Sequence, residues 1–268
     1  MTDAKPGKLH RRQLRVVKGG RQRPDLKVVV LGEEGNPLVE QLVGRLHNVP
    51  IEVIQLAGDE ERVDINALAA QARGASAGFD LCVVQPELKA WAMDTLDKIL
   101  SPEAPVFTCC HAASATGSAA MIAHPERVTG FALLPPWEER KTVECARALQ
   151  TADAIIPAVE ALWRLLGLDP VWVGDSVGLV MPRILACLIN EALFATMERV
   201  ARGSDIDRAM ELGTRYPRGP LAWGNLIGLD QVLVTLDALA MEHGEDRYRA
   251  APLLRRLVAA GWTHEVVW

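Results

Sequence analysis

An alternation between short apolar runs and amphipathic segments, which fills the first half of the chain, constrains the fold more than any other feature. Residues 26–31 form an apolar run that ends at Gly32, as a buried parallel strand does. Apolar residues then recur at helical spacing over residues 38–46, and residues 51–56 form a second β-rich run. Because strands that alternate with helices pair in parallel, this pattern predicts a doubly wound α/β sheet.

Further strands and one change of period complete the predicted organisation. More apolar runs are predicted or candidate strands: residues 79–84, 105–108, 128–134 and 154–157. From about Pro182 onward the apolar residues follow the helical period, which predicts an all-helical second half. We therefore expect an α/β domain over residues 26–176 and a helical domain over residues 177–268.

Residues with strong capping preferences divide the helical half into separate helices. Ser204 is a candidate N-cap, and Gly213 is a candidate residue just past the end of that helix. Gly244 is expected to end a further helix. Pro252 is expected to begin the last helix and Gly261 to stop it.

Residues 1–25 are expected to stay outside the two domains. The segment is rich in Lys and Arg, and Gly7, Gly19 and Gly20 oppose a stable helix. It lacks the apolar region and the small-residue cleavage site of a secretory signal. We predict a disordered basic arm, with a phosphate-binding or partner-binding arm as the alternative.

Charge and cysteine content bear on the partners and the compartment. The net charge of −5 gives no whole-molecule attraction to nucleic acid or to anionic membranes, and no apolar run approaches the ~20 residues of a membrane span. The five cysteines are an odd number without metal-ligand spacing, which predicts reduced thiols in a cytoplasmic protein and no metal site. Cys109 and Cys110 are predicted to be buried at a strand end, with a redox-active pair as the alternative.

Four segments of the second half carry motifs in the order and spacing of a known family. They are residues 178–192 (GLVMPRILACLINEA), 204–213 (SDIDRAMELG), 217–230 (PRGPLAWGNLIGLD) and 248–255 (YRAAPLLR). The chain resembles the 3-hydroxyacyl-CoA dehydrogenases, in particular their 3-hydroxybutyryl-CoA dehydrogenase-like members. The resemblance implies a Rossmann-like domain followed by a helical C-terminal domain of the 6-phosphogluconate dehydrogenase type. It also implies NAD as the cofactor, an acyl-CoA-type ligand and homodimerisation through the helical domain.

The turn after the first predicted strand departs from the family pattern. A dinucleotide-binding turn reads G-x-G-x-x-G, whereas this turn reads GEEGNP from Gly32 onward. Gly32 and Gly35 are the remaining candidates for cofactor binding, while Glu33 and Glu34 place negative charge where a pyrophosphate would lie. An ordinary strand–helix turn without nucleotide is therefore favoured over an NAD site. Residues 64–79 also leave room for only one short helix where the family has a hairpin that helps to hold coenzyme A.

The catalytic positions implied by the resemblance are changed as well. The segment GFALLPPWEERKTVE keeps the register of the family motif GxHFFNPxxxMKLVE, but the histidine position is Ala132, which accepts no proton. Pro135 and Pro182 stand where the family has asparagines. The glutamate that orients the family histidine is retained as Glu144. His111, in the loop where the family has NTSS, is a candidate relocated base with Glu144 as its orienting group, and a histidine with no catalytic part is the alternative.

These residues leave three functional hypotheses. The first, favoured by the changed positions, is a non-catalytic or regulatory subunit (a pseudoenzyme) that pairs with itself or with an active dehydrogenase subunit. The second is an active NAD-dependent 3-hydroxyacyl-CoA dehydrogenase with His111 as its base. The third is a protein that binds a ligand or performs other chemistry in the interdomain cleft without nicotinamide, where Trp137 and Trp223 are candidate lining residues.

Overall fold

A single twisted sheet with helices on both faces forms the first part of the molecule. The computed structural model describes residues 15–18, 26–33, 36–46, 51–57, 65–264 and 266–268. The sheet contains β1 (Arg15–Lys18), β2 (Leu26–Gly32), β3 (Ile51–Ala57), β4 (Ala77–Leu81), β5 (Val106–Cys109), β6 (Val128–Ala132), β7 (Thr142–Arg147) and β8 (Asp169–Val173). The strand order is β1-β3-β2-β4-β5-β6-β7-β8. Strands β3, β2, β4, β5 and β6 are parallel, whereas β1 and β7 run antiparallel to their neighbours and β8 is parallel to β7.

The two faces of the sheet carry separate hydrophobic cores. Helices α1 (Pro37–Leu46) and α5 (Ile156–Leu165) cover one face, and α2 (Ile65–Ala72), α3 (Pro86–Ile99) and α4 (Ala115–Ala119) cover the other. Val28 and Val30 of β2 enter the first core, while Val29 and Leu31 enter the second. Burial on both faces explains why the strand is apolar at consecutive positions. The prediction of a doubly wound α/β sheet is thus confirmed.

Five helices form the second part of the molecule. They are α6 (Met181–Met197), α7 (Gly203–Thr214), α8 (Pro220–Ile227), α9 (Leu229–His243) and α10 (Pro252–Ala259). Their shared core contains Leu185 and Ile189 of α6, Leu221 of α8, Leu236 of α9 and Leu254 of α10. Within the described residues no single helix is long and apolar enough to cross a membrane, although α8 and α9, bent by 99° at their junction, meet that test as a pair.

One strand prediction is wrong, and three strands were not predicted. Residues 154–157, a candidate strand, lie in a short 3-10 turn and in the start of α5, because Pro157 is suited to a helix N-terminus and the segment buries Val159 on a helical face. Strands β7 and β8 were not foreseen. Within the stretch predicted to be a disordered arm, Arg15–Lys18 form β1, which pairs with β3. The other residues of that arm lie outside the described part of the chain.

Some of the predicted helix ends are confirmed and others differ. Gly244 follows α9 with a left-handed φ of 64°, and Pro252 occupies the first turn of α10, both as expected. Helix α7 begins two residues earlier than the Ser204 cap would place it, with Arg202 at the N-cap, and its left-handed end residue is Arg215 rather than Gly213. The side chain of Asp207 accepts from the backbone N–H groups of Leu221 and Ala222 at the start of α8 and so joins the two helices.

Candidate active site

The candidate site lies where the parallel strands end and the helical part begins. Gly32, His111 and Ala132 come at or just after the carboxyl ends of β2, β5 and β6. In an open α/β sheet this edge is where ligands bind. Pro182 and Thr235 of the helical part face His111 across a small cavity. The sheet topology therefore brings the predicted cofactor turn and the predicted catalytic positions to one cleft.

The cofactor turn is closed by contacts within the chain. A Cβ atom on Gly32 would come within 2.4 Å of Val39 Cγ2, so this glycine allows α1 to pack against β2. Asn36 Oδ1 accepts from the N–H of Leu38 at 3.0 Å, and the Asn36 carbonyl accepts from the N–H of Val39 at 3.0 Å. Pro37 has no N–H to offer. The start of α1 is thus capped by its own chain, whereas a dinucleotide needs those N–H groups for its phosphates. Gly35 and Glu34 lie outside the described residues.

Glu33 holds a second cluster of backbone donors. Glu33 is only 5% exposed. Its Oε1 atom accepts from the N–H groups of Val83, Val84 and Gln85 at 3.1, 2.6 and 2.7 Å. Burial raises the pKa of Glu33, and the three hydrogen bonds oppose that rise without cancelling it. The side chain stays beside the turn, because Oε2 also accepts from Asn36 Nδ2 at 3.4 Å. An internal carboxylate therefore occupies donors between β4 and α3 at the cofactor side of the cleft.

Glu144 serves as a helix cap. It pairs across the sheet with Ala132, the position implied for the family histidine. Its carboxylate accepts from the backbone N–H groups of Val180 at 2.9 Å and Met181 at 3.0 Å, where α6 begins. Burial raises the pKa of Glu144, and these two bonds counter part of the rise. A cavity of about 60 Å³ lies beside it, lined in part by Ala132 and Pro182. The glutamate at this position therefore holds backbone N–H groups at the start of α6.

His111 is buried at the inner end of the cleft. The residue is 2% exposed and lines a cavity of about 10 Å³ together with Leu134 and Pro182. Its Nε2 atom has no hydrogen-bond partner among the described residues. The pKa of His111 is lowered to about 4, chiefly by burial and also by the nearby charge of Lys89, while the neighbouring amide of Gln231 acts in the opposite direction. The imidazole is therefore neutral near pH 7.

His111 and Glu144 are not brought into a dyad by the fold. Glu144 lines the larger cavity and His111 the smaller one, and the two cavities share only Leu134 and Pro182 as lining residues. The carboxylate of Glu144 is committed to the start of α6, while the polar neighbour of His111 is Gln231. The catalytic roles of both residues stay predictions.

A buried charged network lies next to His111 and was missed from the sequence. The ammonium group of Lys89 contacts the carboxylate of Asp80 and donates to Thr108 Oγ1 at 2.8 Å and to the Cys109 carbonyl at 3.0 Å. Burial opposes the charge on Lys89, but Asp80 outweighs it and raises the pKa of the amine. The network ties the ends of β4 and β5 to α3. The available signal was Asp80 itself, an acidic residue within an otherwise apolar strand.

The remaining predicted groups are structural. Cys109 and Cys110 are buried at and just after the end of β5, as predicted, and burial raises the pKa of Cys109 to about 12, so its thiol stays protonated. Trp137 and Trp223 are buried in the two parts of the molecule and belong to their cores. In the described part of the chain no three His, Cys, Asp or Glu residues are grouped so that they can hold a metal ion.

Comparisons with known proteins match both halves of this architecture. Residues 178–265 match the family described as 3-hydroxyacyl-CoA dehydrogenase, C-terminal domain. The chain is 34% identical over 201 residues to a probable 3-hydroxybutyryl-CoA dehydrogenase of Bacillus subtilis (strain 168), a match that covers 75% of this chain and 70% of the relative. It is 36% identical over 182 residues to the 3-hydroxybutyryl-CoA dehydrogenase of Clostridioides difficile, covering 68% of this chain and 65% of the relative.

A solved structure extends the likeness to nearly the whole fold. The crystal structure of (S)-3-hydroxybutyryl-CoA dehydrogenase from Ralstonia eutropha aligns with a TM-score of 0.73 at 26% identity, covering 90% of this chain and 96% of the other. The sequence matches and this shared fold together identify the lineage of the chain, which belongs to the 3-hydroxyacyl-CoA dehydrogenase family.

Proposed function

We propose that this chain is a member of its family that does not carry out NAD-dependent hydride transfer and that acts as a non-catalytic, assembling subunit. The observation that carries the proposal is the pair Ala132 and Glu144. They are partners across β6 and β7, but one has no titratable group and the other caps α6. A general base raises the rate of a proton-transfer step by roughly 10²–10⁴-fold, so a site without one is expected to be slower by that factor.

The cofactor side of the cleft supports the same proposal. A dinucleotide pyrophosphate is held by free backbone N–H groups at a glycine-rich turn and by the start of the following helix. Here the N–H of Leu38 is bound by Asn36, and the N–H groups of residues 83–85 are bound by Glu33. The residues present do not fit NAD, because the anion would have to displace a buried carboxylate that is already hydrogen-bonded.

A nucleotide titration tests the catalytic half of the proposal. The purified chain is titrated with NADH and nucleotide fluorescence is followed, with an active 3-hydroxybutyryl-CoA dehydrogenase titrated in parallel as the positive control. We expect no saturable binding up to millimolar NADH. Saturation in the micromolar range would contradict the proposal, because it would mean that the turn at Gly32 still accepts a dinucleotide despite Glu33 and Asn36.

The assembly half of the proposal rests on the helical part. Helix α7 has twelve residues, of which only Gly203 is buried, and Leu212 on it is 70% exposed. The inner side of α7 packs on α8 through Ile206 and Asp207, and its outer side, which includes Leu212, is the part we propose a partner covers. We expect analytical ultracentrifugation to show a homodimer, or a complex with an active dehydrogenase subunit. Protein concentrations of about 1–100 µM span the micromolar dissociation constants that such a measurement detects. A monomer over that range that does not co-sediment with an active subunit would contradict it.

A second candidate function is favoured by one specific observation. The Nε2 atom of His111 has no partner among the described residues and His111 lines the cleft, as a relocated base would. The active-dehydrogenase alternative predicts turnover of acetoacetyl-CoA with NADH that is lost in His111→Ala. Its weakness is the pKa of about 4, which makes the imidazole a poor proton acceptor near pH 7. No turnover at high enzyme concentration would remove this candidate.

A further inference from the structure

A hydrogen bond between two buried amide side chains joins the helical part to the start of α1. Gln231 Nε2 donates to Asn36 Oδ1 at 3.2 Å, and the two residues are 4% and 5% exposed. Asn36 is itself held in place, because its Nδ2 donates to the Leu81 carbonyl at 2.8 Å and its Oδ1 also accepts from the N–H of Leu38. One side chain thus links β4, α1 and α9.

Gln231 is placed rigidly enough to make this contact. It lies in the first turn of α9, where its backbone N–H donates to Asp230 Oδ1 at 3.0 Å and its carbonyl accepts from Thr235 Oγ1 at 2.7 Å. The helix start is fixed in turn by the N–H of Leu229, which donates to the Thr263 carbonyl at 2.9 Å. Gln231 Oε1 is buried without a partner among the described residues, and the side chain also reaches His111. Its position is therefore set by α9 and not by the cleft.

Other contacts between the two parts include the guanidinium of Arg140, which lies 5.2 Å from the centroid of the Trp223 ring. The ion pair between Arg218 and Glu139, at 3.0 Å, is exposed, so solvent and salt screen it. The bonds from Val180 and Met181 to Glu144 lie where the chain passes from one part to the other. These bonds therefore fix the segment that joins the two parts, and they do not join α9 to α1 across the cleft. The Asn36–Gln231 bond is distinguished by being buried and by lying away from that connection.

We propose that the Asn36–Gln231 bond is an interdomain latch that holds the helical part closed over the start of α1 and over His111 and so restricts access to the cleft. Opening the cleft exchanges the Asn36–Gln231 bond for hydrogen bonds to water, so the closed form is favoured by the modest net contribution of one buried hydrogen bond. The walls that cover His111 in the closed form include Ile227, Val232 and Thr235, from α8 and α9, the elements that the latch holds in place. Any ligand of the cleft must therefore compete with the latch.

The latch is tested by the solvent accessibility of His111 in the full chain. Diethyl pyrocarbonate labels accessible neutral imidazoles, and labelling at His111 is measured by peptide mass spectrometry, with the exposed His124 as the internal standard. In Gln231→Leu the side-chain volume is kept but the donor is lost. We expect labelling of His111 to rise about fivefold relative to His124, the change that corresponds to the loss of one hydrogen bond of typical net strength. Asp237→Asn, on the exposed side of α9, is the matched control and is expected to leave the ratio unchanged.

Two measurements keep the result decisive. Gln231→Glu retains the length of the side chain and cannot donate to Asn36 when ionised, so it is expected to give the same increase and serves if Gln231→Leu does not fold. Amide exchange at Phe107, in the centre of the sheet, reports global opening. An unchanged His111 ratio in the folded variants overturns the latch. An increase matched by equally faster exchange at Phe107 also overturns it, because the substitution would then have lowered the stability of the whole chain.

Discussion

The buried imidazole of His111 is predicted to make the chain progressively less stable in acid. In the folded state burial lowers its pKa from the ordinary 6.5 to about 4, whereas in the unfolded chain the imidazole is solvated. Between these two values the unfolded state binds a proton that the folded state excludes, so the free energy of unfolding falls as the pH falls. A difference of about 2.5 pKa units at 1.36 kcal/mol per unit amounts to ~3 kcal/mol, present above pH 6.5 and lost by about pH 4.

Urea unfolding followed by tryptophan fluorescence measures this loss directly. The experiment compares the wild type with His111→Gln, which is polar, similar in size and does not titrate, at several values between pH 7.5 and pH 4 (a window set by the two pKa values). The difference in unfolding free energy between the two proteins should shift by ~3 kcal/mol in favour of the variant as the pH falls. His124→Gln, at an exposed histidine, is the control. Parallel pH profiles for the wild type and His111→Gln would refute the reasoning, because His111 would then titrate alike in both states.

Three further substitutions test the contacts that shape the site, each by urea unfolding. Glu144→Ala removes the acceptor for the first two N–H groups of α6 and should lower the unfolding free energy by about 1–2 kcal/mol, whereas Glu144→Gln should lose less; equal losses would contradict the capping role. Lys89→Met leaves the carboxylate of Asp80 buried without its cation and should cost about 3–5 kcal/mol, and a neutral outcome would mean that the pair is not charged in the folded state. Gly32→Ala places a Cβ atom 2.4 Å from Val39 Cγ2 and should cost about 1–3 kcal/mol; no loss would show that α1 can move away from β2.

The fold of this chain does not depend on the positions at which the resemblance implies catalytic side chains. The sheet order and the helical part depend on apolar residues that enter the three main cores, and these are intact. Ala132 is itself a buried core residue that contacts one of them. A small apolar side chain therefore costs the fold nothing at a position where the resemblance implies a histidine. Chemistry and stability are separable here because they rest on different side chains of the same strands.

Most of the architecture was predictable because it follows from local periodicity. The apolar run at β2 and the helical period from α6 onward each reflect the burial of one segment, so a single window of sequence contains the signal. Glycine and proline at helix ends, such as Gly244 and Pro252, act through their own backbone preferences and were read correctly. The motifs of the helical half carried the family assignment for the same reason, since they are contiguous in the chain.

The partners of the polar side chains were decided only by the tertiary structure. Glu33 meets the N–H groups of residues 83–85, Glu144 meets the start of α6, and Gln231 meets Asn36, and in none of these does local sequence reveal the partner. The same holds for β7 and β8, whose strand form depends on pairing with β6 and with each other. The sequence alone placed Ala132 at the position where the resemblance implies a histidine. Only the packing of the helical part on the sheet determined that the remaining polar groups are bound to backbone and to one another, because hydrogen bonds across such distances form only when the two parts of the chain meet.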